Sequence, residues 1–192
     1  MTTSTSSGGR HWAAQGDAEP TSYWLDELPA RPDLPPVSGP ATCDLLVVGG
    51  GYLGLWTALE AVRRQPGRDV LVVEAATCGH AASGRNGGFA DPSLTHGWGN
   101  GVSRWPDEMA TLRRLGLENL ASIERFVAER QIDCRFERTG VLGVATRPHE
   151  LVELKKEHEA RAAAGEGTEL LDAEQVRTRV DSPTYLGGLV DP

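Results

Sequence analysis

The sequence predicts an α/β fold, and three observations carry that prediction. Two short apolar runs, Asp44-Leu45-Leu46-Val47-Val48 and Asp69-Val70-Leu71-Val72-Val73-Glu74, read as buried parallel strands. Between them Tyr52, Leu55, Leu59 and Val62 recur at helical spacing until Pro66-Gly67 ends the pattern. Strand, helix and strand within about 30 residues make one βαβ unit.

The remaining segments follow in order. Residues 1–20 are polar and rich in small side chains, too apolar-poor to offset their ordering entropy, and are expected as a mobile tail. Residues 21–41 form a lead-in. In it, Ser22-Tyr23-Trp24-Leu25-Asp26 carries two aromatics and is expected to dock on the body. Pro29, Pro32, Pro35, Pro36 and Pro40 then favour an extended linker. The body spans residues 42–192. Within it, residues 76–101 are rich in Gly, Ala, Ser and Asn without a period, which predicts a long loop. Trp105-Pro106-Asp107 opens a long helix with Met109, Leu112, Leu115, Leu120, Ile123 and Val127 on one face. Cys134 to Ala145 reads as a hairpin or strand pair turning near Thr139-Gly140. His149 to about Ala164 is a charged helix, and Asp172-Ala173-Glu174-Gln175 has the spacing of a capping box opening a shorter one. There is no internal repeat.

Composition excludes several function classes. The chain has 192 residues, 39% hydrophobic and 24% charged, the balance of a globular protein. A net charge of -8, with Lys and Arg scattered, argues against a nucleic-acid partner. No run approaches the roughly 20 apolar residues that span a bilayer, and the N-terminus lacks the apolar segment of an export signal, so no membrane is expected and the cytoplasm is the expected location. Cys43, Cys78 and Cys134 are odd in number and far apart, which indicates neither disulfides nor a metal site; all three are read as reduced, packed thiols.

Gly49-Gly50-Gly51-Tyr52-Leu53-Gly54 matches G-x-G-x-x-G between a strand and a helix, which makes the unit Rossmann-like. Gly49 permits the turn out of the strand, Gly51 lets the backbone approach a pyrophosphate, and Gly54 lets the helix pack on the sheet. The helix amides favour a phosphate at its start. Glu74, ending the second strand, is placed to accept from ribose hydroxyls and disfavours a 2′-phosphate, which argues against NADP. The fingerprint alone does not separate NAD from FAD.

The next segment does. Ala82-Ser83-Gly84-Arg85-Asn86-Gly87-Gly88 resembles the A-S-G-R-N-G-G loop of FAD-dependent amine oxidoreductases of the glycine/D-amino acid oxidase superfamily, and most resembles the gamma-glutamylputrescine oxidase-like branch. Ser22-Tyr23-Trp24, Thr139-Gly140-Val141-Leu142, Leu170-Leu171-Asp172-Ala173 and Gly187-Gly188-Leu189-Val190-Asp191-Pro192 look like that branch in the same order.

The resemblance implies FAD as cofactor, held by Gly49 to Gly54, Glu74, Ala75 and Ser83, Gly84, Arg85, Asn86, Gly87 and Gly88. It implies a hydride passed from a CH–NH carbon of an amine or amino acid to flavin N5, an imine product and dioxygen as acceptor. It also implies an antiparallel substrate-binding part beginning at about residue 134, hence α+β overall. No residue is assigned a catalytic role. Some relatives link FAD to a histidine near this loop; His80 is read instead as a loop residue. His96 is expected at the surface, and His149 and His158 on a solvated helix face. Relatives continue beyond the position of Pro192, so the sequence is expected to be an N-terminal part, poorly stable and inactive alone, and a complementing C-terminal chain is a conceivable partner. The rival readings are a non-catalytic remnant or split subunit that binds a dinucleotide and an NAD-dependent dehydrogenase. The dehydrogenase predicts further βα repeats directly after Glu74.

Overall fold

The computed structural model describes residues 21–29 and 34–192, and the expected tail at residues 1–20 lies outside them. The chain divides into two compact units, Met1–Phe89 and Ala90–Pro192.

In the first unit, helix α1 (Tyr23–Asp26) precedes strand β1 (Leu45–Val48), helix α2 (Tyr52–Arg64) and strand β2 (Val70–Val73). Strands β1 and β2 run parallel, with Leu45 opposite Val70 and Val48 opposite Val73. The Asp44 carboxylate accepts from the Asp69 amide at 3.0 Å and fixes that register at one end. Between Leu34 and Asp44 the chain has no helix or strand, in keeping with its prolines. The expectation of buried strands fails for β1: Val47 is buried, but Leu46 is 52% and Val48 78% exposed. A two-stranded sheet with one helix cannot cover both faces of a strand whose residues alternate sides.

The second unit is α+β. Helices α3 (Trp98–Arg104) and α4 (Met109–Glu129) lead into strand β3 (Val141–Ala145), helix α5 (Pro148–Ala163), strand β4 (Glu169–Asp172), helix α6 (Ala173–Arg179) and strand β5 (Gly187–Asp191). The sheet order is β3-β5-β4, all antiparallel. Ala145, Leu171, Val176 and Leu189 are buried in this unit, as are Met109 and Leu120 of α4.

Four expectations are corrected here. Cys134 to Ala145 is no hairpin: Val141–Ala145 pairs with Gly187–Asp191, and Gln131 and Arg135 take positive φ, breaking the preceding chain away from strand geometry. Leu115 is exposed; Gly116 takes the buried position because a Cβ there would strike the Pro92 carbonyl. The predicted long loop gives way to α3 from Trp98. Cys78 and Cys134 are exposed rather than packed.

Helices α5 and α6 start as their sequences predict. Pro148 opens α5, and the Glu150 carboxylate accepts from the Thr146 and Arg147 amides at 2.8 and 3.0 Å. Asp172 and Gln175 complete a reciprocal capping box on α6. Strand β5 can sit centrally because Gly188 is bare: a Cβ there would meet Leu142, Gly143 and Val176 at 3.0–3.1 Å. No helix among the described residues is long and apolar enough to cross a membrane.

Candidate dinucleotide site

Strand β1 delivers the chain to Gly49, whose φ of +105° turns it towards α2 in a conformation that costs a glycine little. The Gly49 amide donates to the Val73 carbonyl at 2.7 Å, extending the parallel ladder by one residue. Helix α2 begins at Tyr52, with Gly51 as its N-cap and the Leu55 amide bonding to the Gly51 carbonyl at 3.0 Å. At Gly54 a Cβ would collide with the Gly49 carbonyl oxygen and lie 3.3 Å from Val47 Cγ1, so the glycine sets how closely helix and strand approach. Tyr52 and Leu53 are exposed at the helix start. First-turn amides have no partner within their own helix, and the dipole makes that end electropositive.

Glu74 directly follows β2 and reaches across to the fingerprint. Its Oε2 accepts from the Gly50 amide at 2.6 Å and its Oε1 from the Ala76 amide at 3.1 Å. The Gly50 amide, and after it the Ala76 amide, hold the Glu74 carboxyl below the usual carboxylate range, with desolvation pushing the other way. The Ala75 amide adds a weaker contact, which leaves the carboxylate room for one further donor. Because the folded-state pKa is lowered, the stabilisation is present above the ordinary carboxylate range and is lost as pH falls through the folded value. The difference in unfolding temperature between the wild type and Glu74→Gln is therefore expected to be largest above the ordinary carboxylate range and to close as pH falls through the lowered folded-state value, as followed by circular dichroism.

The segment from Ala75 to Gly88 folds over the same end of the sheet. The Gly79 amide donates to the Gly50 carbonyl at 2.9 Å, and Cys78 sits so close to Gly50 that a Cβ there would lie 2.6 Å from its Sγ. A 3₁₀ turn covers Ala82–Gly84. Ser83 Oγ accepts from the Tyr52 amide at 3.0 Å, tying the turn to the first residue of α2. Asn86 works inside the loop: its Nδ2 donates to the Ser83 carbonyl at 2.8 Å and to the Tyr52 hydroxyl at 3.2 Å, while its Oδ1 accepts from the Gly88 amide at 2.9 Å. Arg85 Nε donates to the His80 carbonyl at 2.9 Å. His80 and His96 are exposed, His96 with a φ of +56°. His158 departs from the expected solvated position, with Nδ1 2.8 Å from Thr168 Oγ1 in a half-buried contact.

Comparison with known proteins decides what this arrangement belongs to. Residues 44–192 match the family model described as FAD dependent oxidoreductase. The chain belongs to that family. The gamma-glutamylputrescine oxidoreductase of Escherichia coli is 38% identical over 156 residues, 78% of this chain and 35% of that protein. A probable oxidoreductase, OrdL, of Haemophilus influenzae is 29% identical over 177 residues, covering 88% and 39%. Among solved structures, L-proline dehydrogenase from P. horikoshii superposes with a TM-score of 0.59 at 22% identity over 80% of this chain and 37% of that one. Glycine oxidase from Bacillus cereus gives 0.54 at 20% over 79% and 39%. The chain thus spans a little over a third of the length of the relatives it matches, and the structural likeness shows the fold.

The family is FAD-dependent, which resolves the choice between NAD and FAD that the fingerprint left open. The geometry fits that group. Gly51 is bare where a Cβ would lie 3.0 Å from Ser83 Oγ, so the glycine lets the Ser83 to Gly88 loop close on the helix start, and the Glu74 carboxylate stands beside it. The predicted residues Gly49 to Gly54, Glu74, Ala75 and Ser83 to Gly88 all lie in the first unit, around the ends of β1 and β2.

Two features escaped the sequence reading. The first is where the Ser22–Leu25 segment lands: Ser22 Oγ donates to the Gly84 carbonyl, and Trp24 and Leu25 pack on Gly88 and Gly84. The second is a charged cluster in the other unit. Arg161, with its side chain 6% exposed, reaches Glu166 at 2.9 Å, Asp191 at 2.6 Å and Glu157 at 3.5 Å, and lies 5.6 Å over the Trp98 ring. Arg113 reaches Asp191 at 2.8 Å and Glu166 at 3.3 Å. Burial opposes the Arg161 charge, but bonds to Asp191 and Glu166 more than offset it and raise the pKa further. The cluster borders a cavity of about 180 Å³ that Trp98, Met109, Leu154 and Leu189 also line. The spacing of Leu154 and Arg161, one heptad apart on α5, is the only sequence signal for it.

Proposed function

We propose that the first unit holds FAD and that the protein oxidises a CH–NH bond of a small amine or amino acid. The observation that carries the reading is the Glu74 carboxylate, pinned by the Gly50 and Ala76 amides beside the start of α2. Bound FAD supplies the hydride acceptor. The chain's own residues bind and orient it. The first-turn amides at Leu53 and Gly54 receive the pyrophosphate, and Glu74 accepts from ribose hydroxyls and repels a 2′-phosphate. Gly51 lets the Ser83 side chain lie close to the helix start, and the Ser83 to Gly88 loop would lie against the flavin side of the dinucleotide. The second unit, with its antiparallel sheet, begins the substrate-binding part. Support for an amine comes from the family and from the 38% identical relative named a gamma-glutamylputrescine oxidoreductase.

A specific observation favours a second reading, in which the chain binds the dinucleotide and requires further polypeptide for chemistry. Leu46 and Val48 turn apolar side chains outward from β1, a face that a complete parallel sheet covers. A chimera tests the first reading: the 156-residue matched segment of this chain replaces its counterpart in the Escherichia coli relative. The expected product carries flavin, and an amine bleaches its visible absorption under anaerobic conditions. A folded chimera without flavin, or with flavin that no amine or amino acid reduces, contradicts the proposal. Amine turnover by the 192-residue chain itself sinks the second reading.

A further inference from the structure

We propose that Ser22, Trp24 and Leu25 form a strap that positions the Ser83 to Gly88 loop, and that they set the affinity for the flavin half of FAD without touching the ADP half. The inference rests on the reading of the first unit as the FAD site. Ser22 acts twice. Its Oγ accepts from the Leu25 amide at 3.4 Å, capping α1, and donates to the Gly84 carbonyl. A Cβ on Gly84 would lie 2.9 Å from Leu25 Cδ2, and one on Gly88 would lie 2.5 Å from Trp24 Cζ2 and 2.7 Å from its Cε2. Gly88 also has a φ of +79°. Gly88 is therefore bare on the side where the strap packs, and at Gly84 Leu25 and the Gly79 carbonyl together fill the space a Cβ would need. Tyr23 stacks edge-on against Trp24, centroids 5.0 Å apart, and braces the indole from behind.

The contact passes inward through the loop. Gly84 closes the 3₁₀ turn whose Ser83 Oγ holds the Tyr52 amide, and the Gly88 amide is bonded to Asn86, whose amide group also reaches Ser83 and Tyr52. Releasing the indole frees the loop from Gly84 to Gly88. The turn from Gly49 to Gly51, the Gly54 contact and Glu74 keep their own partners. Trp24, Ser22 and Leu25 are positioning residues: none is a ligand of the dinucleotide.

The test compares FAD with ADP. Binding of each to the full chain is measured by calorimetry for the wild type, Trp24→Ala, Trp24→Phe and Ser22→Ala. The expected result is about tenfold weaker FAD binding for Trp24→Ala and a few-fold weaker binding for Ser22→Ala, with ADP affinity unchanged within about twofold. Trp24→Phe restores FAD binding. Equal affinities for FAD in Trp24→Ala and the wild type overturn the strap and leave the FAD reading intact. Parallel loss of FAD and ADP, also seen in Ser22→Ala and accompanied by a lower unfolding temperature, identifies a general structural role and overturns it too. A wild-type chain that binds neither ligand overturns the FAD reading and the strap together.

Discussion

Replacing Gly54 by valine is expected to destabilise the protein by about 1–3 kcal/mol and to weaken FAD binding by about ten- to a hundredfold. The new Cβ meets the Gly49 carbonyl oxygen, a backbone atom that cannot rotate aside, and the γ-methyls extend towards Val47. Gly49 cannot relieve the clash because its φ of +105° is set by the turn out of β1. Helix α2 must move off the strand, carrying its first-turn amides away from the Glu74 carboxylate. Each hydrogen bond to the charged pyrophosphate contributes about 1.5–3 kcal/mol, so losing one costs about ten- to a hundredfold in affinity. Leu53→Ala, one residue earlier but 84% exposed, is expected to change stability by no more than about 0.5 kcal/mol. Denaturant unfolding of the two variants, together with FAD titration of Gly54→Val, checks both statements.

Replacing Arg161 by methionine is expected to cost about 2–4 kcal/mol, an unfolding temperature lower by roughly 6–12 °C. The aliphatic stem is retained, so the loss is electrostatic. Glu166 and Asp191, with side chains 15% and 23% exposed, are left with Arg113 as their shared cation. Partial solvent access keeps the cost below that of a fully buried broken pair. The same change at Arg63, whose ion pair with Glu60 joins side chains 66% and 42% exposed, is expected to leave the unfolding temperature essentially unchanged, because solvent screens that pair. Lysine at position 161 is not expected to rescue, because an ammonium cannot satisfy Glu166 and Asp191 with a planar fork while lying over the Trp98 ring. Thermal unfolding of the three variants separates these outcomes.

What could be read from the sequence is what local chemistry encodes. The apolar runs at Leu45–Val48 and Val70–Val73, the helical period from Tyr52 and the Asp172 to Gln175 capping box each express a backbone preference within a few residues, and each formed. The Ser83 to Gly88 loop was legible because its run of residues resembles a family. Strand β3 was not paired correctly, since its neighbour is β5, far along the chain, and a glycine-rich run such as Gly187-Gly188 carries little strand signal. Arg161 looked like one charge on a polar helix. Its partners Glu166 and Asp191 lie in a later loop and strand, so only folding reveals the cluster. Trp24 announced that its segment docks, but an apolar ring does not say on what.

The central claim is that the fingerprint and Glu74 hold the ADP part of FAD, and displacement tests it most directly. FAD is titrated into the chain while flavin fluorescence is followed, and ADP is then added. The account predicts saturable binding of one FAD per chain, competitive displacement by ADP, and loss of both in Glu74→Ala. Saturable FAD binding that ADP does not displace, or that Glu74→Ala leaves unchanged, would contradict it.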